Sequence, residues 1–478
     1  MRRIVHIHLV IYLCILFNLQ LIAQSDFTNI LLHSSSINQS EPTITIDPNN
    51  ASNLSIVSNL WHGNTNQLGA YYSTNGINNW TPIEPLSSQT RVDPSAAYNS
   101  KNDFVYLSYV LTNTSHNPND LLLEVISSSN HGASWSASTQ VSESYKFADK
   151  PFIAIDNNPS SQYYGNIYTS WTYTGTSNNL TVFSKSSDAG AHFSTPLNIA
   201  STGTEGSNIT VGPNGYVYVV WSIGEPNCTG IGFSVSTDGG TSFSSPIQIT
   251  SVYEIGQWKN PDYCLKSTSS NPYGVRVNSF PSMAVDPNNG SIYVTWADNR
   301  NGNPDIFLIK STDQGATWSS NSPTKINNDN TTSDQWFPWI NVTPDGAINV
   351  VFYDSRNDPN NLFTMVYIAR STDGGSSFAN YQVSDVSFTP TAIPNAAQGY
   401  MGDYIGMAST STDAYPCWMD NRTGTYQLYI ADVQFKINVT ADQTDASSVR
   451  LTGTTIGKWE GGPNFNQYTL GSTPLTFP

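Results

Sequence analysis

Basic residues, cysteines and long apolar runs are all scarce in this sequence. The 478 residues include 19 lysines and arginines against 35 aspartates and glutamates, and the formal net charge is −16. A chain this acidic is repelled by the phosphates of nucleic acids and by anionic membrane surfaces. The composition therefore excludes nucleic acids and anionic membranes from the expected partners.

The longest apolar run lies at the amino terminus, from about residue 7 to residue 22. It follows Arg2 and Arg3 and is followed by the small residue Ala23. This order of charge, apolar centre and small residue is typical of a secretory signal peptide. No later segment is apolar enough for a transmembrane helix. We expect residues 1–23 to be a signal peptide, the mature protein to be secreted, and no membrane span.

Only three cysteines remain after residue 23, namely Cys228, Cys264 and Cys417. Three are too few to build a disulfide-dependent fold, and no two of them have the spacing of zinc ligands. A hydrophobic core must therefore stabilise the chain. The sequence indicates no cofactor and no metal in the functional site, and it leaves a structural Ca²⁺ open.

A repeated phrase, S-x-D-x-G-x-x-[W/F], is the most regular feature of the sequence. Its six copies begin at Ser73, Ser128, Ser186, Ser236, Ser311 and Ser371, and the first two have Asn in place of Asp. Ser and Asp side chains can hydrogen-bond the backbone of a turn, and Gly takes the positive φ that such a turn needs. We interpret the phrase as a hairpin whose aromatic ring packs against a sheet. The phrase therefore predicts a structural element and no catalytic residues.

Each copy lies among four short strand-like runs, with turn residues between them and no helical periodicity. This arrangement predicts an all-β fold, a β-propeller of four-stranded blades. We count seven blades, with six as the alternative if the first, most degraded unit is not a full blade. The last unit lacks the phrase, and residues 26–35 could supply its outer strand and so close the ring.

The phrase is the Asp box, or bacterial neuraminidase repeat, and over residues 26–435 the chain resembles the sialidase superfamily of β-propellers. The resemblance implies an exo-acting glycoside hydrolase that uses arginines on a carboxylate and a tyrosine nucleophile with a glutamate and an aspartic acid. The family's early Arg-Ile-Pro motif is absent. Residues 436–478 are polar and free of boxes, which indicates a tail or the start of a truncated β module.

Five of the seven arginines after residue 23 fall at the predicted functional face, where loops of all blades converge. They are Arg91, Arg276, Arg300, Arg356 and Arg422. Guanidinium groups bind carboxylates through paired, directional hydrogen bonds, so all five are candidate substrate-binding residues. The last three end D-x-R motifs, and bracing by aspartates across adjacent blades is the interpretation that we favour for them.

Acidic residues and tyrosines gather at the same face, at the starts of predicted inner strands. The resemblance implies Asp93 or Asp149 as the acid, Glu205 as the glutamate, and Tyr400 or Tyr404 as the nucleophile. Two further acids occupy similar places, Glu41 and Asp403, and we assign Asp403 to substrate binding. Turn capping without function is the alternative for each acid.

The longest loop at this face spans residues 251–278 and carries Trp258 among several aromatic rings. Flat rings suit sugar stacking, and the alternative is that they anchor the loop. Cys264 lies in this loop and Cys228 in a neighbouring loop of the same face, so we predict a Cys228–Cys264 disulfide. Cys417, within a predicted strand, is expected to be a buried thiol.

Two functions from different classes follow from these residues. The first is a sialidase-like glycoside hydrolase, with a glycan or glycoconjugate as its partner. The second is a non-catalytic propeller that binds glycans or proteins at the cell surface. The hydrolase predicts a hydrogen bond between Tyr400 or Tyr404 and a glutamate, and the binding protein does not need one.

Overall fold

The computed structural model describes residues 27–62, 65–112, 120–142, 145–201, 203–224, 227–256, 265–266, 274–397 and 399–435. The predicted signal peptide and the tail from residue 436 lie outside these residues, as do Trp258 and Cys264. Within them the chain forms seven antiparallel sheets of at least four strands, and no helix is long and apolar enough to cross a membrane. The prediction of a seven-bladed β-propeller is confirmed.

Each blade has four radial positions. The innermost strands of the seven blades are β2 (Asn38–Asp47), β6 (Arg91–Asn99), β10 (Ala148–Ile155), β14 (Thr204–Val211), β18 (Ser282–Val285), β22 (Gln335–Val342) and β26 (Gly406–Ser409). The second strands are β3 (Asn50–His62), β7 (Phe104–Leu111), β11 (Ile167–Tyr173), β15 (Val217–Ile223), β19 (Ile292–Asp298), β23 (Ile348–Asp354) and β27 (Asp413–Asp420).

The third strands are β4 (Thr65–Ser73), β8 (Leu122–Ser128), β12 (Leu180–Ser186), β16 (Gly230–Ser236), β20 (Asp305–Ser311), β24 (Met365–Ser371) and β28 (Gln427–Ala431). The outermost strands are β5 (Thr81–Ile83), β9 (Thr139–Gln140), β13 (Leu197–Ala200), β17 (Ile247–Ser251), β21 (Thr324–Lys325), β25 (Ala379–Gln382) and, for the seventh blade, β1 (Asn29–Leu31). A short strand, β29 (Val433–Gln434), also pairs with β27.

The ring is closed by the two ends of the described chain. β1 pairs antiparallel with β28, and Ile30 faces Ile430 in the register. The first inner strand, β2, in turn lies against both β6 and β26. The predicted closure by residues near the amino terminus is confirmed, and it covers an edge of the seventh sheet that would otherwise be unpaired.

The Asp boxes form hairpins between third and outermost strands. In the fourth box Ser236 Oγ donates to Asp238 at 2.8 Å and accepts a hydrogen bond from the Gly240 amide at 2.8 Å. The aromatic ring of that box, Phe243, packs edge-on against Phe183 of the third blade at 4.8 Å. The box is scaffold as predicted, and its ring reaches the preceding blade and so joins two sheets.

The core lies between adjacent blades, where apolar side chains of second and third strands interlock. Its largest members include four buried tryptophans on second strands, Trp171, Trp221, Trp296 and Trp418. Cys417 is also fully buried, and burial raises the pKa of its thiol, as expected for a structural residue. The packed blades hold the inner-strand starts around a central channel.

Candidate active site

The inner strands do not begin as regular strands, because each of the longer ones carries a bulge. Pairing with the second strand slips by one residue at this point in β2, β6, β10, β14 and β22. The bulged residues have positive φ, and three of them are Glu41 (54°), Asp93 (57°) and Lys150 (46°). A bulge re-aims a side chain. These three residues belong to the polar cluster at the channel mouth, the face at which the inner strands begin.

Glu41 is the centre of a hydrogen-bond network in that cluster. Its Oε1 accepts a 2.8 Å hydrogen bond from the Tyr400 hydroxyl and a 3.0 Å one from the Asp403 amide. Its Oε2 accepts from Asn59 Nδ2 at 2.9 Å. Burial, and then the charge of Asp403, raise the pKa of Glu41, which makes it a stronger base than a solvated carboxylate.

Tyr400 is held from several sides. Its hydroxyl lies 3.3 Å from Ser40 Oγ, and the ring of Trp61 packs against its ring at 4.8 Å. The Arg276 guanidinium lies 4.8 Å above the same ring. Burial raises the pKa of Tyr400, and the charge of Glu41 adds to this shift, so the phenol keeps its proton unless a base removes it. Glu41 is placed to be that base.

Asp403 binds two cations through one oxygen. Its Oδ2 accepts hydrogen bonds from Arg276 Nη2 at 2.7 Å and from Lys150 Nζ at 2.8 Å. Burial alone would raise the pKa of Asp403, but these two positive charges outweigh it and hold the pKa below its usual range. The pKa values of Lys150 and Arg276 are both raised, because neighbouring carboxylates outweigh burial. Asp403 is therefore an anion that fixes the two cations.

A second group of acids lies beside Lys150. Asp149 Oδ1 is 3.8 Å from Lys150 Nζ, and the charge of Glu205 also acts on Lys150. Asp93 accepts a 3.3 Å hydrogen bond from the Lys150 amide. Burial raises the pKa of Asp93 well above its usual range, and the charges of Glu41 and Asp149 raise it further. Burial and the two neighbouring carboxylates therefore favour the protonated form of Asp93.

The sequence placed Glu205 as the partner of the tyrosine, and the structure corrects this assignment. The glutamate bound to Tyr400 is Glu41, because the bulge in β2 brings it to the seventh blade. Tyr404 donates its hydroxyl to the Pro94 carbonyl at 2.8 Å. Of the two candidate nucleophiles, Tyr400 therefore has the carboxylate that the chemistry needs.

Aromatic rings form the other side of the mouth. Phe152 lies 5.6 Å from both Trp339 and Tyr404, which come from the sixth and seventh blades. These rings line a pocket together with Lys150 and Asp403. The pocket is narrow, with space for about one or two water molecules. One wall is therefore charged and the other is apolar.

Three of the five predicted arginines are committed to braces. Arg300, Arg356 and Arg422 each lie 2.7 Å from a carboxylate oxygen of the aspartate two positions earlier. Each of these aspartates pairs with the arginine of its own D-x-R motif, so the expected pairing of Asp298, Asp354 and Asp420 across adjacent blades is wrong. Two of the arginines do reach an aspartate in the loop that follows the preceding blade: Arg422 lies 2.5 Å from Asp385 and Arg356 lies 3.8 Å from Asp329. The arginines also contact the preceding blade through other groups. Arg300 of the fifth blade, for example, donates to the Ser251 carbonyl of the fourth blade at 3.0 Å.

Arg91 also contacts residues outside the polar cluster. Its guanidinium lies 4.4 Å above the ring of Tyr109 in the second blade and donates to Gln89 at 2.9 Å. Among the five arginines, Arg276 is thus the one that joins the cluster. The expectation of an arginine-lined mouth is wrong, because the local aspartates and Tyr109 hold the other four.

The long loop between the fourth and fifth blades is described in part. Lys266 anchors it, with Nζ donating to Asp334 at 3.0 Å and to Ser355 at 2.8 Å in the sixth blade. Trp258 and Cys264 fall outside the described residues, so sugar stacking by Trp258 and the disulfide to Cys228 stay predictions. Cys228 itself is buried.

Solved structures with a similar fold were found for this chain, but no protein or family with a similar sequence. No family model and no curated protein matches the chain. Sialidases are among the solved structures that resemble it. A leech intramolecular trans-sialidase is 12% identical with a TM-score of 0.45, and the match covers 74% of this chain and 69% of that one.

Two other solved structures resemble the chain to the same degree. A protein of unknown function from Dyadobacter fermentans is 13% identical with a TM-score of 0.47, over 70% of this chain and 94% of that one. An α-L-arabinofuranosidase from Fusarium graminearum is 14% identical with a TM-score of 0.46, over 72% and 93%. The assignment of residue roles rests on this chain's own geometry.

The sequence analysis did not predict two residues of the cluster as site residues. Glu41 was noted as an acid without a role, and Lys150 was not singled out. A signal for both exists: Glu41, Asp93 and Lys150 each precede a proline at the start of an inner strand. A charged residue at this repeated position indicates the channel mouth.

Proposed function

We propose that this chain is a secreted, glycan-processing propeller that hydrolyses glycosides with Tyr400 as nucleophile, Glu41 as base and Asp93 as acid. The observation that carries the proposal is the buried hydrogen bond from the Tyr400 hydroxyl to Glu41. A nucleophile bonded to a base, with a third group that orients the base, is the general arrangement of covalent catalysis. Asn59 is that third group, through its hydrogen bond to Oε2 of Glu41.

The reaction has two steps. Glu41 takes the phenol proton as the Tyr400 oxygen bonds to the anomeric carbon, and Asp93 gives its proton to the departing glycosidic oxygen. Water then attacks the anomeric carbon and displaces the tyrosine; Asp93 takes the proton from water, and Glu41 returns its proton to Tyr400. One glycoside and one water give a free sugar and an alcohol, with the anomeric configuration retained.

A sialic acid-type substrate is the finer form of this proposal. Its carboxylate would have to bind Arg276, which now donates to Asp403. Because Lys150 also binds Asp403, that carboxylate would keep a partner if Arg276 turned to the substrate. Among the five arginines Arg276 is the candidate for this role, so an Arg276→Ala variant should lose sialoside hydrolysis if the sugar is anionic.

Hydrolysis of fluorogenic glycosides by the mature protein tests the proposal. A sialic acid glycoside and a set of neutral glycosides would be compared in the wild type, Tyr400→Phe and Tyr404→Phe. We expect about 10²-fold or greater loss in Tyr400→Phe, because the nucleophile is removed. Tyr404→Phe is the matched control, since it removes an equally buried hydroxyl that bonds to a carbonyl. Equal activity in both variants would overturn the assigned roles.

A non-catalytic glycan- or protein-binding propeller at the cell surface is the second candidate. It is favoured by the burial of Tyr400, which is 5% exposed, and by the small volume of the pocket at the mouth. A folded wild-type protein that cleaves no glycoside but binds glycans on an array would support this candidate. If replacing a residue of the channel mouth abolished that binding, the binding site would lie at the mouth.

A further inference from the structure

We propose that Asp47, Asp103 and His131 bind a divalent transition-metal ion, with Zn²⁺ as the ion to test. Each residue offers one ligand atom, and these three atoms all lie within 4.8 Å of one another. The site is independent of the channel mouth. Asp47 ends β2, six residues after Glu41, so about 20 Å of strand separates it from the proposed active site.

Three separate segments of chain supply the ligands. Asp47 closes the inner strand of the first blade, and Asp103 lies in the turn between β6 and β7 of the second blade. His131 lies in the Asp-box hairpin after β8 of the second blade. A bound ion would therefore tie the first blade to the second on the Asp-box face.

The histidine is specific to this box. The residue before the conserved box glycine is His131 in the second blade, whereas the next four boxes have Ala189, Gly239, Gln314 and Gly374 there. All five occupy the same left-handed backbone conformation, with φ between 58° and 68°. Among these five hairpins, the one that lies beside Asp47 and Asp103 is thus the one that carries a histidine.

The charges at this site call for a cation. Asp47 is 3% exposed, and within the described residues neither Asp47 nor Asp103 forms a salt bridge with a lysine or an arginine. Two facing carboxylates that no lysine or arginine of the described residues neutralises repel each other, and a divalent ion between them removes that repulsion.

Groups around the ligands hold them in place. Asp47 accepts hydrogen bonds from the Asn49 amide at 2.8 Å and from Asn53 Nδ2 at 3.0 Å. The Tyr98 hydroxyl is hydrogen-bonded to Nδ1 of His131, and the two rings are nearly parallel with centroids 6.2 Å apart. Orientation of ligands by a surrounding layer of hydrogen bonds is typical of metal sites.

The ligand set selects the class of ion. An imidazole with two carboxylates suits Zn²⁺ and similar first-row ions, whereas Ca²⁺ prefers a shell made of oxygens alone. Three protein ligands leave coordination positions for water. We therefore expect Zn²⁺ to bind more tightly than Ca²⁺ at this site.

Calorimetric titration of the chelator-treated mature protein, prepared without a histidine tag, tests the proposal. Wild type should bind one Zn²⁺ with micromolar or tighter Kd, and Zn²⁺ should raise its Tm because the ion binds the folded state. His131→Ala should weaken binding by at least about tenfold. His192→Ala is the matched control, because His192 bonds Asp188 at 2.7 Å on the equivalent hairpin of the third blade.

Asp103→Asn is the second variant, since Asp103 is exposed and its replacement leaves the core unchanged. It too should weaken Zn²⁺ binding and abolish the rise in Tm. The proposal is overturned if wild type does not bind Zn²⁺ with one-to-one stoichiometry, if Ca²⁺ binds more tightly, or if His131→Ala binds like His192→Ala. Glycoside hydrolysis does not enter this test, so its outcome is separate from that of the proposed function.

Discussion

The Tyr400 hydroxyl donates a 2.8 Å hydrogen bond to Oε1 of Glu41, although 359 positions separate the two residues in the sequence. Glu41 lies on the first inner strand and Tyr400 shortly before the last one. They meet because β2 of the first blade lies against β26 of the seventh, and β1, which leads into β2, pairs with β28. Closure of the ring therefore also brings the two residues of the candidate active site together.

Removal of residues 27–33 should open the ring. Phe27 and Leu32 are buried, and their exposure alone would cost about 3–6 kcal/mol. The backbone edge of β28 would also lose its partner. Thermal unfolding should show a lower Tm than that of a chain that begins at Asp26, and hydrolytic activity should fall with it. An unchanged Tm would show that β1 does not close the ring.

Asp93→Asn should stabilise the protein at neutral pH while reducing its activity. The pKa of Asp93 is raised in the folded state, so the folded protein binds more protons than the unfolded one between the two pKa values, and stability falls as pH rises through that window. Asn removes this cost. We expect a gain in the free energy of unfolding at pH 7, and none near pH 4.

Urea unfolding of wild type and Asp93→Asn at both pH values measures the difference. Hydrolysis of natural glycosides should fall by about 10²–10⁴-fold in the variant, because the general acid is lost. Activated aryl glycosides, whose leaving groups need no proton, should lose much less. Equal losses for both substrate types would argue against Asp93 as the acid.

Arg276→Met should destabilise the fold, because Asp403 is buried and would lose one of its two cations. Lys150 remains 2.8 Å from the same oxygen, so we expect about 2–3 kcal/mol, less than for a carboxylate left without any partner. Arg370→Met is a control, since Arg370 lies beside an Asp box. Denaturant midpoints of the two variants give the comparison, and a larger loss for Arg370→Met would contradict the structure.

Asp238→Ala should remove the hydrogen bonds that close the fourth Asp box. Burial opposes ionisation of Asp238, but hydrogen bonds from Ser242 outweigh it and lower the pKa to about 2. A lowered pKa stabilises the fold above pH 4, and this contribution is lost as pH falls towards 2. We expect a loss of about 1–2 kcal/mol at pH 7 and a smaller one at pH 3.

Chemical unfolding at the two pH values, with the exposed Thr237→Ala variant beside it, tests this prediction. Hydrolytic activity should stay at the wild-type level in both variants because the box lies on the face opposite the channel mouth. A selective loss of activity in Asp238→Ala would show that the box does more than support the scaffold.

The sequence predicted the architecture well because its signals are local. The Ser, Asp and Gly of each of the last four boxes contact one another within five positions, as in the hydrogen bonds of Ser236 with Asp238 and Gly240. Such contacts are encoded in a short stretch and repeat with each blade. The strand order within each blade followed from that repetition, and the seventh unit, which lacks the phrase, was recognised by its remaining strands.

The candidate site depended on side-chain direction, which the sequence pattern does not fix. Glu41 and not Glu205 meets Tyr400, across 359 positions of sequence, because of the bulge in β2. Arg300, Arg356 and Arg422 turn to aspartates only two positions away, and the sequence alone did not decide between that partner and a substrate. The sequence alone predicted a ring of four-stranded sheets, seven in number with six as the alternative, with its loops converging on one face. The tertiary structure decided which charges meet there, because electrostatic pairing depends on distances of a few ångströms between residues hundreds of positions apart.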